Sequence, residues 1–131
     1  VLERDGILAG AYFLDLMVSM TRSPSQIVQY LYDKVGPHYY QRHDITLAPE
    51  QRDGIIERML TSNPKSLAGL KVKAKDSPDG VRFTLTDGSW LLVRVYGTEP
   101  LVRIYAESSS PAYVEDLLAE GRKLALSCID S

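Results

Sequence analysis

The chain has 131 residues, 44% of them apolar and 24% charged, and a formal net charge of −2 at pH 7. This is enough apolar material for the core of one modest globular domain with room for an appendage. A general nucleic-acid-binding protein is disfavoured, because such proteins usually carry a basic surplus. A single cysteine, Cys128, rules out an internal disulfide and favours a reducing, cytoplasmic location.

The sequence begins with a helical pattern that is unusually apolar. Residues 6–21 are apolar nearly all round, which is typical of a helix buried on most sides, and Asp5 precedes it as a candidate N-cap. The run contains Asp15 and is too short to span a bilayer. Because the chain starts at Val1 with this run close behind, we expect a fragment whose N-terminus lies upstream.

A second helix follows with clear start and stop signals. Ser23 is placed as the N-cap, Pro24 as the first helical residue, and Gln26 as the partner that completes a capping box. Gly36 and Pro37 end the pattern. This junction is the best candidate for a domain boundary, with residues 1–36 belonging to a preceding domain.

Residues 37–131 predict an α+β domain. Residues 38–47 read as extended, and Pro49 fits the start of a third helix that ends before Asn63. From residue 70 the apolar period becomes two, which predicts an antiparallel meander. Its strands cover 70–75, 81–85, 90–95 and 101–106, and a last helix follows Ser110. The predicted architecture is a four- to five-stranded antiparallel sheet with helices packed on one face.

The stretch WLLVRVYGTEPLVRIYAES carries the main functional signal. Alternation along its two strands places Arg94 and Arg103 on the same face of the sheet. Gly97 allows close backbone approach, the N–H groups of Gly97, Thr98 and Glu99 can form an anion nest, and the Thr98 hydroxyl adds a donor. Arginine binds phosphate through a planar fork. These parts predict a phosphate cradle, and a plain hairpin with solvated arginines is an equal alternative on the residues alone.

Two motifs resemble a known family. GTEP, with an arginine before it and LVRIYAE after it, resembles the C-terminal signature of the α-D-phosphohexomutases, usually Arg-x-Ser-Gly-Thr-Glu-Pro followed by a second arginine. ERDGILAGAYFLDLM resembles the family segment that opens a long buried helix. Tyr96 stands where the family usually has serine, so only its backbone N–H is expected to contribute.

The resemblance implies the C-terminal part of a phosphoglucomutase or phosphomannomutase, which interconverts hexose 1-phosphate and hexose 6-phosphate. It implies a TATA-binding-protein-like domain that holds the substrate phosphate through Arg94, Tyr96, Gly97, Thr98, Glu99 and Arg103. A phosphoserine and a Mg²⁺ site would lie in upstream domains, and a hexose 1,6-bisphosphate would be the intermediate. The expected partners are the substrate and those domains, with neither nucleic acid nor membrane, and the fragment alone is expected to be inactive. Glucose or mannose phosphates are favoured over glucosamine phosphate.

The remaining polar residues predict less specific roles. His38 and His43 are expected on opposite sides of a strand, so a shared metal is disfavoured. Lys71, Lys73 and Lys75 predict a solvated strand face, and Cys128 a small packing residue. Trp90 and Leu92 share the face of the arginines, so a neighbouring domain is expected to cover part of it. The alternative function is a stand-alone, non-catalytic anion-binding or interaction module.

Overall fold

The computed structural model describes residues 5–48, 54–95 and 101–129. The chain divides into two compact units, Val1–Pro37 and His38–Ser131. The first unit contains two helices, α1 (Gly6–Met20) and α2 (Pro24–Val35). The second contains a sheet and two further helices.

The caps predicted for α1 and α2 are confirmed. The Asp5 carboxylate accepts a hydrogen bond from the Leu8 N–H at 2.9 Å. Ser23 and Gln26 form the full capping box, with the Gln26 side chain accepting from the Ser23 N–H at 2.9 Å. The predicted burial of α1 is not observed, because none of its residues is buried and Ile7 is 89% exposed.

The second unit is built on a six-stranded, fully antiparallel sheet. Its strands are β1 (Tyr39–Thr46), β2 (Ser66–Leu67), β3 (Leu70–Asp76), β4 (Val81–Leu85), β5 (Trp90–Val95) and β6 (Leu101–Ser108). Their spatial order is β1-β6-β5-β4-β3-β2. The predicted meander from β3 to β6 is confirmed, and β1 pairs with β6 at one edge. The sheet has more strands than predicted because the two-residue β2 is too short to produce an alternating pattern.

Helices α3 (Ile55–Thr61) and α4 (Pro111–Ile129) pack on one face of this sheet. The side chains that alternate toward them from β4, β5 and β6 form the core, including Phe83, Leu91 and Ile104, all fully buried. The Ser110 hydroxyl caps α4 by accepting from the Tyr113 N–H at 3.4 Å. The predicted helix start at Pro49 lies outside the described residues.

The predicted alternation of β3 is wrong in its second half. The pairing of β3 with β4 shifts register between Val72 and Ala74, which is a β-bulge. After the extra residue, Ala74 is exposed, whereas Lys75 lies opposite buried Phe83 on the helix-covered face. Lys75 is therefore half-buried, and only Lys71 and Lys73 are exposed as predicted.

Two side chains of α4 contact other elements of this unit, one in α3 and one in β2. Cys128 is buried with its sulfur 3.5 Å from the Met59 sulfur, which confirms its packing role. The Tyr113 hydroxyl donates to the Leu67 carbonyl at 3.1 Å, and burial, followed by the charge of Asp87, raises the pKa of Tyr113. Within the described ranges, the helices all fall short of the length and apolarity needed to cross a bilayer.

Candidate functional site

Arg94 and Arg103 lie directly opposite each other on neighbouring strands. The register of β5 and β6 pairs Arg94 with Arg103, and the buried residues Val93 and Val102 point to the helices. Both arginines therefore lie on the sheet surface away from the helices, here called the outer face. Their side chains are 30% and 21% exposed, so both remain accessible to a ligand.

Like charges placed opposite each other on a sheet are destabilising, and carboxylates offset that cost here. Asp79 approaches Arg94 with one oxygen 2.8 Å from Nη2 and the other at 3.0 Å. Asp44, on β1, lies 3.7 Å from Arg103 Nε and 2.9 Å from Arg42 Nε. The register of β1 and β6 aligns Asp44 with Arg103, so this carboxylate extends the same row across the sheet.

The β3–β4 turn brings Asp79 to Arg94. Its next residue, Gly80, has φ +106°, and a Cβ there would lie 2.6 Å from Arg94 Cγ and 2.7 Å from the Val93 carbonyl oxygen. The glycine thus lets the turn lie against the stem of Arg94. Asp79 lies between the predicted strands 70–75 and 81–85, and the sequence analysis did not identify it as a partner of Arg94. In the register of β4 and β5, Val81 opposes Val93. The turn residues just before Val81 therefore lie beside Arg94, which follows Val93.

The predicted loop residues Tyr96, Gly97, Thr98 and Glu99 lie outside the described residues. The described strands end at Val95 and resume at Leu101. The structure therefore brings the two arginines of the predicted site together and leaves the loop contribution as a prediction.

An aromatic cluster occupies the other end of the outer face. Tyr40 lies 6.2 Å, between ring centroids, from both Trp90 and Tyr105, and Tyr40 is 53% exposed. Leu92, opposite Tyr105 on the neighbouring strand, separates the cluster from the arginine row. Sequence analysis placed Trp90 and Leu92 here but missed the cluster, because the three rings come from three different strands.

The charges of the outer face are largely paired with each other. Arg82 bonds Asp76 at 2.8 Å, and His38, at the edge, lies 3.0 Å from Glu107. Together with the pairs of Arg94 and Asp44, this gives a mixed surface instead of a basic stripe.

A cavity of about 240 Å³ lies on the opposite side, between α3 and the sheet. It is lined by Ile56, Met59, Leu60, Ser77, Gly80, Val81, Val93 and Val95. Its lining contains no charged side chain among the residues described, so it does not suit an anion as the arginine row does.

The described residues form no metal-binding cluster. Over residues 5–48, 54–95 and 101–129, no group of three or more His, Cys, Asp or Glu side chains is placed to hold a metal ion. The Mg²⁺ site that the resemblance implies would lie in upstream domains, so no chemical step is assigned to a metal here.

Comparison with known proteins identifies the family of this chain. The family described as "Phosphoglucomutase/phosphomannomutase, C-terminal domain" matches residues 57–124, which include both arginines. A phosphoglucosamine mutase of Methanococcus aeolicus is 31% identical over 123 residues, 94% of this chain and 25% of that protein. A phosphoglucomutase/phosphomannomutase of Thermococcus kodakarensis is 31% identical over 124 residues, 95% of this chain and 25% of that protein.

A third relative differs in the sugar named. A phosphopentomutase of Thermococcus kodakarensis is 30% identical over 81 residues, 62% of this chain and 18% of that protein. The chain spans about a quarter of the length of the first two relatives. With its sheet architecture and the domain match, the chain belongs to the phosphoglucomutase/phosphomannomutase family and corresponds to its C-terminal part.

Proposed function

We propose that this chain is the substrate-phosphate-binding part of a mutase that interconverts hexose 1-phosphate and hexose 6-phosphate. Arg94 and Arg103 hold the phosphate together with the loop at Tyr96, Gly97, Thr98 and Glu99. Residues 1–36 end the preceding domain, and residues 37–131 form the binding domain. The observation that carries the proposal is the direct cross-strand pairing of the two arginines beside that loop.

The names of the relatives support a role in reading phosphate. They include mutases named for glucose, mannose, glucosamine and pentose phosphates. The sugar differs among these names, whereas a transferable phosphate is common to all. A domain that binds the phosphate and leaves sugar recognition to other parts of the enzyme is compatible with each of them. The upstream domains would then determine which sugar is accepted.

The arrangement also suits the physical demands of phosphoryl transfer. That reaction depends mainly on positioning and on stabilising charge, and a second, non-reacting phosphate gives the enzyme a handle. Two guanidinium groups that read only the oxyanion accept the sugar in either orientation, as exchange between the 1- and 6-positions requires. The phosphoserine and Mg²⁺ of the resemblance would act from upstream, so the chain alone is expected to bind phosphate without turnover.

The direct test is a phosphate titration of the full chain followed by the amide shifts of Gly97, Thr98 and Glu99. We expect saturable shifts with inorganic phosphate and with glucose 6-phosphate. Arg94→Ala removes charge-assisted bonds of about 1.5–3 kcal/mol, so it should weaken binding about 10- to 100-fold. In the whole enzyme the same variant should mainly impair substrate binding and cleft closure.

Arg82→Ala is the matched control. It removes the same charge from the outer face, where Arg82 is paired with Asp76 as Arg94 is with Asp79. It should change phosphate affinity by less than about threefold, because Arg82 opposes Leu92, one position along the outer face from Arg94, and a charge about 8 Å away in water contributes only about 0.5 kcal/mol. Equal losses in the two variants would reduce the site to a general charge effect, and an absence of shifts would exclude it.

A further inference from the structure

We propose that Asp79 occupies the position of the substrate phosphate on Arg94. The two side chains form an ion pair in the free protein, and this ion pair breaks when phosphate binds. This inference rests on the proposed function, and it adds a residue of the β3–β4 turn that positions the site and lowers its affinity.

The carboxylate of Asp79 contacts Arg94 where a phosphate would bind. Both Asp79 oxygens approach the same nitrogen, Arg94 Nη2, at 2.8 and 3.0 Å. A carboxylate with two oxygens on a guanidinium nitrogen uses the donors that a phosphate would use. Phosphate can form its full contact with this part of Arg94 only if the carboxylate moves aside.

The Asp79 side chain can move away from Arg94 with little loss of free energy. Asp79 is 75% exposed, and an ion pair with so exposed a partner contributes little to stability. It lies in the turn between β3 and β4, so its side chain can reorient into water without disturbing the sheet. A phosphate dianion carries more charge than this carboxylate and can contact Arg103 as well. It therefore binds the two arginines more strongly than Asp79 binds Arg94 alone.

In the free protein, Asp79 reduces the repulsion between two opposed arginines. Arg94 opposes Arg103 directly, and a nearby carboxylate relieves the repulsion between them. Gly80 holds the turn against the Arg94 stem, which keeps the guanidinium positioned while the site is empty. Asp79 is thus a positioning residue whose charge is replaced by that of the ligand.

Asp44 differs from Asp79 in each of these respects. It is 34% exposed, lies within β1, and is shared between Arg42 and Arg103. Releasing it would disturb two arginines and a strand. We therefore assign the exchange to Asp79 and a permanent structural contact to Asp44.

The test compares inorganic phosphate binding to the full chain and its Asp79→Asn variant, followed by the amide shifts of Gly97 and Thr98. Removing a unit charge beside the ligand should tighten binding about fivefold, the effect that Coulomb's law in water gives at 4 Å. Asp79→Glu, which keeps the charge, should bind as the unaltered chain does. Asp116→Asn, on the exposed surface of α4, makes the same change in net charge and should leave affinity unchanged.

The outcomes separate this inference from the proposed function. Asp79→Asn that binds more tightly, with an unchanged urea midpoint, supports the exchange. Asp79→Asn that binds as Asp116→Asn does, or more weakly, overturns it, while a loss in Arg94→Ala would still support the phosphate site. If phosphate shifts neither loop amide in any of these proteins, the proposed function fails and this inference fails with it.

Discussion

Gly80 is the residue on which the position of Arg94 depends most directly. Alanine there must adopt φ +106° and place its Cβ within 2.7 Å of both the Arg94 stem and the Val93 carbonyl oxygen. We expect Gly80→Ala to lower the free energy of unfolding by about 2 kcal/mol, because it combines backbone strain with a contact that has to shift. Phosphate affinity should fall as well, since Arg94 is displaced.

Gly88 provides the control for Gly80. It also has a positive φ, +92°, in a hairpin turn, but an added Cβ would meet nothing within 4 Å. Gly88→Ala should therefore cost only the strain, about 1 kcal/mol, and leave phosphate binding unchanged. Urea denaturation and a phosphate titration of both variants check this, and equal costs would remove the steric role assigned to Gly80.

Single residues also show what alternation can predict. The common face of Arg94 and Arg103 follows from the period of two along β5 and β6. Asp79 could not be found in this way, because a turn residue reaches its partner through the register of strands that are distant in sequence. The sequence is thus enough to predict the two arginines of the row. Their carboxylate partners, Asp79 and Asp44, can be identified only once the pairing of β1, β4, β5 and β6 is known.

At the scale of elements, Lys75 joins α3 to the sheet. The bulge in β3 turns its side chain to the helix-covered face, where Nζ donates to the carbonyl oxygens of Met59, Leu60 and Ser62. The last carbonyls of α3 would otherwise lack intrahelical partners. Lys75→Met should therefore lower the free energy of unfolding by about 1.5–3 kcal/mol, as expected for bonds to a charged group.

Lys73→Met tests whether this effect belongs to position 75. Lys73 is exposed on the same strand, so its replacement should change stability by less than about 0.5 kcal/mol. Chemical denaturation of both variants measures the difference. Similar values for the two lysines would mean that Lys75 is solvated in solution, as the uninterrupted alternation predicts.

The same strand marks where elements stop being predictable. Within the described parts of the chain, five of the six strands and all four helices follow from periodicity, caps and turn residues. The bulge does not, because lysine and alanine at positions 73–75 satisfy either face until the partner strand fixes the register. The two-residue β2 is likewise defined by its pairing with β3 and has no pattern of its own.

At the scale of the whole molecule, the two units differ in how well they bury apolar surface. The main core is made entirely of residues from Ile45 to Cys128. The first unit buries only Ile27 among its described residues, and Ile7, Leu14 and Val18 of α1 are 59–89% exposed. Exposed apolar surface of this extent promotes association. We therefore expect the second unit to fold alone and the first to make the chain self-associate.

Deletion of residues 1–37 tests both expectations. Trp90, the only tryptophan in the chain, lies on β5 and reports on the second unit alone. The unfolding midpoint followed by its fluorescence should be the same in the shortened and full chains at low concentration. Sedimentation should show concentration-dependent association of the full chain and a monomer for the shortened one.

A triple variant isolates the role of the apolar face of α1. Replacing Ile7, Leu14 and Val18, which share one side of the helix, by glutamine should abolish association of the full chain and leave its tryptophan-reported midpoint unchanged. If the shortened chain loses cooperative unfolding, the core of residues 45–128 depends on the first unit and the division of the chain into two folding units is wrong. If the triple variant still associates, other exposed apolar side chains of the first unit, such as Leu16, Leu31 and Val35, hold the copies together.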